Sequence, residues 1–364
     1  MHCTWNTEEI QIAQQRLLHW FSHAQRDLPW RREYRPYHVW ISEIMGQQTQ
    51  MERVVEYFNR WMAEFPDVQA VAAAEEQQIL KAWEGLGYYS RARHVHKAAK
   101  IVCEEHGGQI PNTQHELLQL PGIGPYTSAA VLSIGYNKPV SLVDANVERV
   151  FARLGDMDQP VKKSTTRKKI QAMADQWLWS REPRLWNQAL MEFGALQCLP
   201  KNPLCTDCCL RSLCRAAHNQ TVSLRPVPMP AKKRIHIAMA CAILCRENRF
   251  FLQQRLPDDI WGGLWEFPGG RLESGESPEQ AAVREVFEEL EWRVREPVFF
   301  TRVTHNYTRY NVSLSAFYCT LSKPYCPPVL HAAKQYAWVP MEQLTLYPFP
   351  SGHRQIVAQM LATS

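Results

Sequence analysis

No stretch of this chain stays apolar long enough to cross a bilayer. The longest apolar run, IHIAMACAILC from Ile235, is well short of the roughly 20 residues that a spanning helix needs. The N-terminus likewise lacks the basic stretch followed by an apolar one that marks a secretory leader. An intracellular protein with no membrane partner is therefore expected. Internal repeats and low-complexity tracts are missing, which leaves out repeat arrays and fibrous chains. Charge of either sign is in no great excess: a net of +5 permits nucleic acid as a partner without demanding it. Strand signals are nearly absent up to about residue 217.

What is there fits a multi-domain protein. At 364 residues the chain is too long for one ordinary core, and 45% hydrophobic with 21% charged residues is a globular composition. Helical spacing of apolar residues recurs through residues 6–24, the segment around PYHVWISEIMG, and many segments on to RLWNQALMEFGALQC, so an all-helical domain is predicted over 1–218. NQTVSLRPVPMPAKKR, at 219–234, reads as a proline-rich basic linker. Beyond it the strand-like IHIAMACAILC, RFFLQQR, NVSLSAFYCTL and QYAWVPM surround one helical pattern, SPEQAAVREVFEEL, which predicts an α+β domain over 235–364. Basic clusters at 91–100 and 162–169 are compatible with solvated helix faces or with phosphate contacts.

Four groupings carry chemistry. In a helix around Glu43, Val39 and Trp40 lie one turn away, and a carboxyl beside them is desolvated, raised in pKa and able to act as a general acid. A solvated glutamate with no task is the plainer reading of the same segment. Cys198, Cys205, Cys208 and Cys214 form C-x6-C-x2-C-x5-C, a set of four thiolates suited to Zn²⁺ or to a [4Fe–4S] cluster. LPGIGPYTSAAVL, with Gly122 and Gly124 ahead of a helix that includes Thr127, would present backbone N–H groups to a phosphate in a helix–hairpin–helix arrangement. VDANVERV places Asp144 where it caps a helix, and the helix N-terminus should lower its pKa. One carboxyl kept neutral and one kept charged would make an acid and an anion.

SEIMGQQTQ, KAWEGLGYYSRARHVHKAA, LPGIGPYTSAAVLSIGY, VDANVERV, NQALMEFGALQC and the cysteine spacing resemble the MutY family of adenine DNA glycosylases. The resemblance covers essentially the whole helical domain and implies a six-helix module over about 30–137, with a cluster module formed by 1–29 and 138–218. In lyase members of the wider endonuclease III superfamily a lysine follows the hairpin; Tyr126 stands here and cannot form a Schiff base, so a monofunctional glycosylase is implied. By the same match Glu43 protonates the adenine, Asp144 stabilises the sugar cation, and Tyr126 and Asn146 support them. Arg26, Trp30, Arg31 and Gln188 surround the extruded base, while Gln48, Thr49, Leu86 and Tyr88 enter the stack. The cysteines would hold a [4Fe–4S] cluster. The family commonly has leucine where Gly46 stands.

The C-terminal domain resembles a Nudix fold and looks similar to MutT. Its box runs Gly270, five residues, Glu276, seven residues, then R-E-V-F-E-E-L, with only the final glycine replaced, by Glu291. Glu285, Glu288 and Glu289 fall at i, i+3 and i+4, a face suited to Mg²⁺. The favoured implication is a reader of 8-oxoguanine on an inherited scaffold, its loop aligning with His305, Tyr307 and Thr308, with Arg309 where the family has its last histidine. Double-stranded DNA carrying adenine opposite 8-oxoguanine or guanine is the implied partner, bound by a monomer. Two alternatives stay open: an endonuclease III-type glycosylase/lyase, and a Mg²⁺-dependent hydrolase of oxidised dGTP.

Overall fold

The computed structural model describes residues 5–229, 234–307 and 310–363. Its contacts divide the chain into two units, one of Met1–Ala73 with Lys97–Ala231, the other of Ala74–His96 with Lys232–Ser364.

The first unit is helical because its apolar residues recur at helical spacing and its helix ends are capped. Helix Thr7–Ala24 opens on a capping box in which Asn6 and Glu9 satisfy each other's backbone N–H groups. Its inner face, with Leu17 and Phe21, joins a core built around Phe151, Trp177, Trp186 and Phe193. Trp177 meets Trp5 and Phe151 edge-to-face, with centroids 5.0 and 5.8 Å away. Helix Pro36–Gly46 buries Val39, Trp40, Ile41, Ile44 and Met45. The hairpin follows the helix Gln114–Gln119, turns at Gly122 with φ 78°, and enters the helix Pro125–Ala130, which continues as a π-helical turn over Val131–Gly135. A Cβ on Gly135 would stand 3.0 Å from the Pro36 Cα, so glycine is what lets the hairpin element approach the Glu43 helix.

The second unit is built on a seven-stranded sheet. Strands β1 (Ile235–Arg246), β2 (Arg249–Arg255), β3 (Trp265–Glu266), β4 (Gly269–Arg271), β5 (Val294–Tyr307), β6 (Tyr310–Leu321) and β7 (Ala333–Pro340) give the order β3-β2-β1-β6-β5, with β4 also on β1 and β7 also on β2. Among the described residues only β1 and β6 pair in parallel. Alternation along β1 sends Ala240, Ala242 and Leu244 to one face, where Ala281, Ala282, Val286 and Leu290 of helix Pro278–Leu290 cover them. Cys241 and Ile243 go to the other face, under Ile356, Val357 and Met360 of helix Ser351–Ala362. The predicted strands and the Ser277-capped helix are thus present. Strand β5 and the last helix were not anticipated. Residues 74–96, read from sequence with the helical part, share hydrogen bonds with residues 262–349: Trp265 Nε1 donates to Gln77 Oε1 at 3.1 Å, Gln77 Nε2 to the Gly263 carbonyl at 3.0 Å, and Arg93 to the Gly262 carbonyl.

Candidate active site

Glu43 comes from the middle of helix Pro36–Gly46, and Asp144 caps helix Ala145–Leu154. Although a hundred residues apart in sequence, both line one cleft of ≈ 650 Å³ in the first unit. Arg26, Trp30, Arg31, Gly46, Gln48, Thr49, Tyr126, Asn146, Gln188 and Glu192 line it too.

Tyr126 donates its hydroxyl hydrogen to Glu43 Oε2. Burial raises the Glu43 carboxyl, and nearby Asp144 raises it further; Tyr126 and Arg31 pull the other way without prevailing, and the group sits at about 7. The expectation drawn from Trp40 and Val39, which are 0% and 1% exposed, is met. Burial also pushes the Tyr126 phenol well above its usual range, so it is a neutral donor.

Asp144 corrects the sequence-based expectation. It does cap its helix: Oδ1 accepts from the Val147 amide at 2.7 Å and Oδ2 from Asn146 Nδ2 at 2.8 Å. These bonds lower its pKa, but burial outweighs them and the carboxyl lies above its ordinary value. Capping is a local effect, readable from VDANVERV; desolvation comes from the surrounding fold. Asn146 is held by Arg149, whose Nη2 donates to Asn146 Oδ1 at 2.9 Å and whose Nε donates to the Cys198 carbonyl at 2.8 Å.

Sequence reasoning missed Glu192. Its carboxylate is 1% exposed and receives Arg26 through Nε and Nη2 at 2.9 and 2.7 Å, and Arg31 through Nη1 and Nη2 at 3.2 and 3.0 Å. Burial alone would raise it, but the hydrogen bonds from the two guanidiniums hold it down at about 2. The signal available was an acid inside the apolar run ALMEFGAL; its partners, more than 160 positions away, gave no local sign. Gln188 is 3% exposed and donates to the Arg184 carbonyl at 3.2 Å, and Trp30 packs edge-to-face on Phe58. A Cβ on Gly46 would meet nothing within 4 Å, so the absent leucine leaves open space at the wall.

Of the hairpin residues, Gly122 and Gly124 frame the turn, whereas Thr127 is 2% exposed and faces the interior. Leu86, 7% exposed, and Tyr88 belong to the second unit.

Cys198, Cys205, Cys208 and Cys214 line a common cavity with Leu154, Phe193 and Leu210. Arg153 Nη1 donates to Cys198 Sγ at 3.3 Å, a bond suited to an anionic sulfur. Burial pushes the Cys208 thiol up to about 12 and raises Cys214, so in this apolar wall it is a metal that would displace the proton. Among the described residues no three of His, Cys, Asp and Glu stand close enough for a single metal ion. Four thiols lining one cavity are a donor set suited to a metal ion or a cluster.

In the Nudix-like box, Arg284 takes up the carboxylates: Glu276 at 2.8 Å, Glu285 at 3.0 Å and Glu288 at 2.8 Å. Glu289 turns inward, Oε2 accepting from the Gly269 amide and from Gln253 Nε2, both at 2.9 Å; burial and then Glu266 push it up to about 8. Glu291, in place of the box glycine, takes the left-handed φ of 58° that ends the helix. His305 lies on β5 and Tyr307 ends that strand; Thr308 and Arg309 fall outside the described residues.

Residues 41–176 match the HhH-GPD superfamily of base excision DNA repair proteins, and residues 239–359 match the NUDIX domain. Fold and site together define a helix–hairpin–helix base excision repair protein followed by a Nudix-like α+β domain. The adenine DNA glycosylase of Buchnera aphidicola subsp. Baizongia pistaciae is 36% identical over 266 residues, covering 71% of this chain and 73% of that protein. The rat adenine DNA glycosylase is 37% identical over 269 residues, covering 71% and 51%. The chain belongs to the adenine DNA glycosylase family, although it spans about half the length of the rat and mouse relatives it matches. Among solved structures, a thermostable thymine-DNA glycosylase superposes with a TM-score of 0.53 at 26% identity, covering 58% of this chain and 98% of that one. A trapped endonuclease III–DNA covalent intermediate, at 0.52 and 22% with 60% and 99% covered, shares the fold.

Proposed function

We propose that the chain is a monofunctional DNA glycosylase that removes adenine mispaired with 8-oxoguanine or guanine from duplex DNA. The observation that carries this is one cleft lined by two half-buried carboxyls with different hydrogen-bond partners, Glu43 poised at about 7 and Asp144 beside it. Adenine stacked in a duplex is out of reach, so the nucleotide must first be extruded into the cleft. Because Glu43 Oε2 accepts from Tyr126, its proton resides on Oε1, from which it passes to N7 of the base. The C1′–N9 bond then breaks with its electron pair leaving on the purine. The cation left on the sugar faces the Asp144 carboxylate, held in place by Asn146 and the Val147 amide, until water adds at C1′ and gives up the proton that restores the Glu43 acid. General acid assistance of this kind contributes roughly 10²–10⁴-fold.

Arg26 and Arg31 line the base site, their charges fixed by Glu192, and Gln48 and Thr49 sit at its rim. Gly122 and Gly124 would hold a phosphate. Cys198, Cys205, Cys208 and Cys214 would hold a [4Fe–4S] cluster, which when bound ties residues 198–214 into one fixed loop; equal iron and acid-labile sulfide, both lost in Cys205→Ser, is the expected assay. The Nudix-like domain reads the opposite 8-oxoguanine through the end of β5, and its Arg284-bound carboxylates support the fold rather than Mg²⁺. DNA is bound by a monomer inside the cell.

Excision is to be followed on duplexes with adenine opposite 8-oxoguanine, guanine and thymine. Wild type should act on the first two, and Glu43→Gln should lose about 10²-fold or more. An unimpaired Glu43→Gln refutes the acid role, and a borohydride-trapped adduct with the sugar would favour the lyase alternative.

A further inference from the structure

The loop that joins helix Glu76–Ala82 to helix Ser90–Glu105 runs against ordinary backbone preference. Gly85, Gly87 and Tyr88 have φ of 101°, 73° and 49°, and at Tyr88 a side chain bears that geometry. Glycine takes positive φ readily, so the backbone cost falls on Tyr88, which its surroundings must hold. On one side Arg91 does so: Nη2 donates to the Leu86 and Gly87 carbonyls, each at 3.1 Å, and its guanidinium lies 5.4 Å from the Trp83 ring and 5.5 Å from the Tyr88 ring.

Trp83 Nε1 adds a bond to the Gly87 carbonyl at 3.1 Å, and a further hold comes from one residue far along the chain. The Phe349 amide donates to Glu84 Oε1 at 3.0 Å, and the Phe349 carbonyl accepts from the Tyr89 hydroxyl at 2.9 Å. That hydroxyl also accepts from the Gly85 amide at 3.4 Å. Both main-chain groups of Phe349 therefore grip the flanks of the loop. Phe349 is 2% exposed, and its ring lies 6.3 Å from that of Phe267. Three residues on is Gly352, where a Cβ would stand 3.0 Å from His305 Cε1 and 3.1 Å from Leu314 Cδ2. His305, beside Trp261 at 6.3 Å, has neither ring nitrogen hydrogen-bonded among the described residues, and both are buried. From the loop to His305 the path is one hydrogen-bonded residue, three peptide units and one close contact.

We propose that Phe349 is a latch that makes residues 84–89 and the end of β5 a single mechanical piece, with Glu84, Tyr89 and Gly352 as positioning residues that set opposite-base discrimination. This rests on the proposed function, in which the end of β5 meets the base opposite adenine, and on the family resemblance, which implies that the loop of Leu86 and Tyr88 enters the stack. A piece carrying both can seat the loop fully only when the strand end is seated. The identity of the opposite base then governs how well the loop is placed, and through it the excision rate.

The test uses the full chain and single-turnover excision of adenine opposite 8-oxoguanine and opposite guanine. Tyr89→Phe and Glu84→Ala should each slow excision opposite 8-oxoguanine by about tenfold, the scale of a buried hydrogen bond, and change excision opposite guanine little. Glu84→Gln keeps an oxygen acceptor for the Phe349 amide and should restore the rate. Gly352→Ala combined with Tyr89→Phe should lose less than the product of the two single effects, since both break the same link. Equal losses on both mispairs, or full additivity, overturns the latch. Hydrogen exchange on the same proteins separates this from the function itself: the Gly85 and Phe349 amides should accelerate together in Tyr89→Phe. If wild type excises adenine from neither duplex, the functional reading fails, and independent exchange of those two amides would then overturn the latch on its own.

Discussion

Glu43 is a residue whose environment opposes its charge, and that has consequences in two measurements. With its folded pKa at about 7 against an ordinary 4.5, the native state holds a proton that the unfolded state releases. The sign follows: folding is favoured by this group below about pH 4.5, stability declines as pH rises to 7, and the full cost stands above that. Glu43→Gln should therefore raise denaturant stability at pH 8 by up to about 3 kcal/mol while changing little at pH 4.5. The excision rate of wild type should fall with rising pH through about 7, as its acid deprotonates. Glu192 behaves oppositely: its pKa of about 2 gives stability present above pH 4.5 and lost as pH falls toward 2. Glu192→Gln leaves two guanidiniums against a neutral amide and should cost about 3 kcal/mol at pH 7, read from urea unfolding. The difference in legibility between these two acids is physical. Glu43 takes its apolar neighbours Val39 and Trp40 from its own helix, so sequence spacing announces them, whereas its partner Tyr126, like the Arg26 and Arg31 that hold Glu192, comes from far along the chain. Asp144 lies between: its cap was readable, its burial was not.

At the level of elements, periodicity located nearly every helix of the first unit, because each turns one apolar stripe to the core. The same signal misses β5, whose register shifts at two places and whose Val298 and Phe299 are exposed, so its alternation is broken. It also misses helix Ser351–Ala362, whose opening Pro-Ser-Gly reads as a turn. The helix Pro278–Leu290 was legible throughout, and its last turn offers a clean measurement. Glu291 occupies a left-handed position that glycine would fill without steric cost, and its contact with His331 at 2.9 Å lies on the surface. Glu291→Gly should thus stabilise the protein by about 1 kcal/mol in chemical denaturation, restoring the residue whose absence from the box was visible in the sequence.

For the whole molecule, two halves with different chemistry share one chain, and their resemblances do not carry equal weight for activity. In the C-terminal half Arg284 engages three carboxylates and Glu289, at about 8, is mostly protonated near neutrality. Incubation with oxidised dGTP and Mg²⁺ at pH 7 should release no pyrophosphate above a no-enzyme control; turnover abolished by Glu285→Gln would contradict the scaffold reading. The order of domains could be read from the change of texture after Asn219, but the allegiance of residues 74–96 could not. That segment looks helical like its neighbours, and its hydrogen-bond partners at Gly262, Gly263, Trp265 and Phe349 are made nearly two hundred residues later.

That allegiance bears on biosynthesis. A ribosome adding roughly 5–20 residues per second leaves Gln77, Glu84, Tyr89 and Arg93 without those partners for on the order of ten seconds or more. During that interval the nascent chain holds an early segment that cannot yet adopt its final form. A message cut short after the linker would yield a protein whose helical half is complete in sequence and still lacks the residues that hold this one loop.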